Sequence, residues 1–98
     1  MKFYSYRQNN SGGFFLKPAV TVNVEASSAA EADEIAVTHG LYFNGCDTGD
    51  DCNCCGDRWY PADEPGTAAP EGEGSPWADE GLPSVITFYA DGRKVVTP

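Results

Sequence analysis

Four cysteines fall within ten positions of the stretch "FNGCDTGDDCNCCGDRWY", residues 43–60, and these thiols are the side chains best suited to chemistry in the chain. Cys52-x-x-Cys55-Gly56 has the spacing of a metal knuckle. Two thiolates separated by two residues converge on one ion, and the following glycine lets the chain turn so that backbone N–H groups face the sulfurs. Cys46, six residues upstream across "DTGDD", can fold back as a third ligand. The fourth ligand expected is Cys54, adjacent to Cys55, because four local thiolates need no tertiary coincidence; His39, which ends a helix seven residues before Cys46, is the alternative. Zinc is the ion expected for a closed thiolate set, with mononuclear iron as the alternative, and a small fold gains stability directly from such a metal.

Other chemistry fits the same stretch less well. A redox dithiol needs a depressed thiol pKa, whereas Asp47, Asp50, Asp51 and Asp57 surround the thiols with negative charge. The aspartates do not follow the spacing of an EF-hand, and Asp, Asn and Gly are the residues of tight turns. A catalytic zinc held by Cys46, Cys52 and Cys55 with water fourth is the remaining enzymatic arrangement. With one histidine in the chain and no Gly-rich phosphate loop, no nucleophile, base and oxyanion hole assemble, and the expectation is a protein that is not an enzyme.

Ninety-eight residues with seven prolines and eleven glycines make one modest domain. The opening "MKFYSYRQNN" has no apolar run of signal-peptide length and no segment approaches a membrane span, so a cytoplasmic protein with reduced thiols is expected. All fifteen carboxylates lie between Glu25 and Asp91, with Arg58 the single fixed positive charge among them. That segment would repel a phosphate backbone, which argues against nucleic-acid binding and suits a protein partner with a basic surface.

The elements that must position the cysteines are readable from periodicity. "KFYSYRQ" and the later part of "FFLKPAVTVNVEA" alternate in strand fashion and predict a hairpin, bulged or restarted at Pro18. "SSAAEADEIAVTHG" predicts a helix with Ser28 and Glu31 as a capping box, Gly40 as a left-handed stop, and Ala29, Ala32, Ile35, Ala36 and His39 on one face. Residues 61–84 hold five prolines, four glycines and six carboxylates and read as a long excursion within one domain. In it Trp77 is either an anchor for the loop or an exposed contact for a partner. "SVITFYADGRKVV" predicts a second hairpin turning at Asp91-Gly92. The fold expected is α+β over residues 1–98: a small antiparallel sheet of about four strands in the order ββ-α-ββ, one packed helix, and a metal-stapled cysteine loop.

The opening "MKFYSYRQNNSGG" and the block "VEASSAAEADEIAVTHGLYFNGCDTGDDCNCCGDRW", in that order, resemble a group of small proteins encoded by bacteriophages of actinobacteria. The likeness covers residues 1–60 and implies an accessory protein made in the cytoplasm of an infected bacterium, with no catalytic residues carried over. The functional expectation is a protein-binding module with a structural zinc site. A minor virion component and a protein that sequesters a small ligand or nucleotide signal are the alternatives.

Overall fold

The computed structural model describes residues 1–9, 18–48, 56–72 and 83–97. In chain order these form β1 (Lys2–Arg7), β2 (Thr21–Ala26), α1 (Ala29–Thr38), the single turn α2 (Gly45–Thr48), β3 (Val85–Phe88) and β4 (Lys94–Thr97). The strands make one sheet in the order β1-β2-β3-β4. β1 runs antiparallel to β2 and β3 antiparallel to β4, so both sequence-predicted hairpins form. β2 and β3, however, are parallel, pairing Val22 with Ile86 and Val24 with Phe88. The all-antiparallel expectation is thus corrected to a mixed sheet. Parallel neighbours need a long crossover, and the chain provides one by laying α1 on the sheet before it returns at Val85.

Local signals define α1. Ser28 accepts a hydrogen bond from the Glu31 N–H at 3.1 Å, and the Glu31 carboxylate reaches back to the Ser27 N–H at 3.0 Å, one residue earlier than a standard capping box would place it. At the other end Gly40 takes φ +100°, the Gly40 N–H donates to Val37 O and the Leu41 N–H to Ala36 O, the paired bonds of a Schellman stop. Ala32 and Ala36 are fully buried against β2, and their small side chains let the helix lie close to the sheet.

The sheet has two covered faces of different character. On the α1 side Tyr4, Tyr6, Val22, Val24, Ile86 and Phe88 form the apolar core. On the other side Phe3, Thr21, Asn23, Val85 and Thr87 are also buried. Their cover is the first part of the Pro/Gly-rich excursion. Asn23 is its anchor: the carboxamide donates to Glu71 O at 2.6 Å and accepts from the Glu71 N–H at 3.2 Å, as a neighbouring strand would. A buried amide is costly unless it is bonded, and Asn23 also takes bonds from Ser5 and to Thr87.

Candidate functional site: a window on the edge of the sheet

Cys46 lies in α2, half-buried, and its backbone N–H donates to the Asp57 carboxylate at 3.0 Å, so Asp57 caps that turn. The His39 ring lies flat on Phe88, with centroids 3.7 Å apart and planes 11° apart. Among the described residues it serves as a stacking partner of the sheet. Among the described residues no group of three or more His, Cys, Asp or Glu side chains gathers to hold a metal ion. The expected zinc or iron site and the metal-stapled loop are corrected accordingly, and with them the functional reading that rested on a structural zinc. Cys52, Cys54 and Cys55 lie outside the described residues, as does Trp77. Among the described residues, Trp59 is fully buried in the core with its indole N–H unpaired.

Among the described residues a concave feature lies on the outer edge of β1. Even-numbered residues of β1 turn their main-chain groups toward β2, as the Gln8 N–H bond to Val20 O shows. The odd-numbered ones therefore point their N–H and C=O outward. Residues 57–67 run along that edge as a strap. At one end the Asn9 N–H donates to Arg58 O at 2.9 Å, and Arg58 Nη1 donates to Gln8 Oε1 at 2.9 Å. At the other, Phe3 and Thr67 exchange two main-chain bonds of 2.8 Å. Gly66 makes that approach possible, because a Cβ there would stand 2.6 Å from Lys2 Cβ and 2.9 Å from Phe3 O.

Between the two clamps the strap bows away and leaves a cavity of about 310 Å³, lined by Phe3 to Arg7 on one side and by Tyr60–Asp63 and Pro65–Thr67 on the other, with Glu71 beside them. The outward main-chain groups of Ser5 and Arg7 open onto it with no partner among the described residues. Two carboxylates hold the bowed part in place. Asp33 of α1 accepts from Tyr6 Oη at 2.7 Å and from the Ala62 N–H at 2.9 Å. Glu64 accepts from Tyr4 Oη at 2.7 Å and from the Ala29 N–H, at the start of α1, at 2.8 Å.

The electrostatics of these supports suit scaffolding. Burial, followed by the bond to Asp33, pushes the Tyr6 phenol far above its ordinary range, and the bond to Glu64, followed by burial, raises Tyr4. The Ala29 N–H and then the Tyr4 hydroxyl hold the Glu64 carboxyl below the usual glutamate range. Both phenols stay protonated as donors across the neutral range, so they fix the wall of the window. Asp63 and Arg7, by contrast, line it with charges that have no hydrogen-bond or ion-pair partner among the described residues.

Periodicity places Tyr4, Tyr6 and α1 as they are found, but it carries no indication of the window. Asp33 reads there as a carboxylate at the positive end of the α1 dipole, Glu64 and Asp63 as members of an acidic excursion, and Gly66 as one loop glycine among several. The only sequence signal for the strap is the density of Tyr60, Pro61, Pro65 and Gly66, residues that interrupt strand pairing without ending it. No helix among the described residues is long and apolar enough to cross a membrane. No curated protein and no solved structure matches the chain. A family model described as Domain of unknown function (DUF7296) matches residues 1–97, and the chain belongs to that family.

Proposed function

We propose that this chain is a protein-binding module whose partner presents a basic surface to the window on β1. The observation that carries the reading is the run of outward main-chain groups at Ser5 and Arg7, left without a partner in a cavity whose walls are fixed on both sides. Unpaired edge groups in a preformed groove are what peptide-recognition sites offer, and rigidity lowers the entropic cost of docking. Charge supports the choice of partner: the net charge is −9, and Asp63 and Glu71 line the cavity. The same charge disfavours a nucleic-acid ligand. The cytoplasm of an infected bacterium, the setting implied by the resemblance over residues 1–60, is where such a partner would be met.

The experiment is affinity capture with two baits in parallel, the parent protein and a double variant carrying Asp63→Lys and Glu71→Lys. The parent should retain a protein with a basic patch, with association slowing as salt rises, and the double variant should lose it. Equal capture by both baits would place the partner elsewhere on the molecule.

A further inference from the structure

The geometry of the window points to how the partner is held, and we infer that it enters as a short added strand: about three residues of extended peptide, paired to β1 by main-chain bonds, with a Lys or Arg at the central position. This rests on the reading that a protein partner docks at the window. Phe3 and Asn9, the two clamped positions, are six residues apart, or about 20 Å along an extended chain. Within that span Ser5 and Arg7 each offer one outward N–H and one outward C=O, the complete hydrogen-bonding set for two pairs of an antiparallel ladder. A peptide with residues opposite Arg7, Tyr6 and Ser5 would satisfy all four groups. A long strand would collide with the Thr67 and Arg58 clamps, so the segment must leave the sheet plane on both sides, as an exposed loop or a chain end does. The cavity of about 310 Å³ sits at the small end of ligand sites, which agrees with so short a segment.

Side-chain preference follows from strand parity. The central residue lies opposite Tyr6 and shares the face on which Tyr6 meets α1. Residues 62 and 64 are tied to that same helix, through Asp33 and the Ala29 N–H, and Asp63 stands between them with no partner among the described residues. A cation at the centre of the peptide therefore meets Asp63. The flanking residues point to the other face, where the Arg7 side chain stands, and carry no requirement for positive charge.

The test is an NMR titration of the protein with acetylated and amidated Val-Lys-Val and Val-Glu-Val. Val-Lys-Val should shift the Ser5 and Arg7 amides and slow their hydrogen exchange, and it should bind several-fold more tightly than the Glu peptide. Arg7→Pro removes one outward N–H that the fold leaves unused, so the variant should keep its fold while losing about tenfold or more in affinity, whereas Arg7→Ala should retain binding. A second arm does not depend on any protein variant: N-methylation of the flanking valines should abolish binding, and N-methylation of the central Lys, whose N–H points away from β1, should not. No binding, shifts confined to other parts of the sheet, or equal loss from methylation at all three positions would overturn the proposal. If instead the basic partner is captured by the parent and by Arg7→Pro alike but not by the Asp63→Lys, Glu71→Lys double variant, the protein-binding reading stands and strand addition is wrong.

Discussion

The two edges of the sheet are managed in opposite ways. β4 lies open: it is four residues long, exposed throughout, and begins with Lys94 beside Arg93. β1 is covered by a strap fastened at Phe3 and Asn9 and propped by Asp33 and Glu64. Unprotected edges invite pairing with other chains, and short length and lysine are among the devices that prevent it. β4 relies on those devices alone. The strap does more than protect, because a cover meant only to block pairing would lie flat from residue 58 to 67 and leave no outward groups at Ser5 and Arg7. The difference separates an edge that is discouraged from pairing from one that is restricted in what it can pair with.

The largest expected effect comes from removing the strap's footing in the core. Trp59 is fully buried, and Trp59→Ala should cost about 3–5 kcal/mol in denaturant unfolding, a large share of the total stability of a domain this small. A mildly destabilised protein would mean that the strap is held by its edge bonds and not by the indole. Gly66→Ala should come next, at about 1–3 kcal/mol, because the new methyl would have to displace Lys2 or the Phe3 carbonyl. Its mark is local: faster exchange of the Phe3 and Thr67 amides, with β3 and β4 unchanged.

A pH dependence sharpens the comparison further. The folded Glu64 pKa is depressed, so its contribution is present above the ordinary glutamate value of 4.5 and is lost as the pH falls through the lower folded value. Tyr4 and Tyr6 are raised, so theirs is present below the ordinary phenol value of 10.0 and is lost as the pH climbs above it. Protection of the Ala29 amide should fall on both sides of that pH range and protection of the Ala62 amide on its alkaline side, at pH values where the Ile86 amide remains protected. The smallest effect belongs to the open edge. Lys94→Thr should change stability by less than about 0.5 kcal/mol, yet raise self-association in light scattering, because β4 would lose its charge. A strictly monomeric variant would show that shortness alone protects β4.

What the sequence made legible was local. Alternation placed Tyr4, Tyr6, Val22 and Val24 on one face, and Ser28, Glu31 and Gly40 marked both ends of α1, since each of these signals spans only a few residues. The window depends on partners far apart in the chain: Tyr6 with Asp33, Tyr4 with Glu64, Asn23 with Glu71. No periodicity specifies such pairs. The parallel direction of β3 is hidden for the same reason, because two hairpins joined by a helix can stack in either sense. The segment "GDRW" shows how a strong motif can mislead. Gly56 reads as the turn of a metal knuckle and Asp57 as negative charge around the thiols, whereas in the structure Asp57 caps α2, Arg58 latches the strap to Gln8, and Trp59 fills the core.

The parallel pairing of β2 with β3 bears on the order in which the chain acquires its structure. Val22 must find Ile86, and Asn23 must find Thr87, each 64 residues later. During synthesis the hairpin of β1 and β2 and the helix α1 emerge first, but they lack the central neighbour that would bury the far side of β2. An isolated hairpin is marginal in water, so this early portion should flicker until β3 leaves the ribosome. Loop closure over that distance then becomes the slow step, and folding should belong with the non-local topologies in the range of milliseconds or longer, despite the small size of the domain. Nascent chains that stop short of Val85 would expose Val22, Val24 and the two tyrosines together, which makes them natural clients for chaperones.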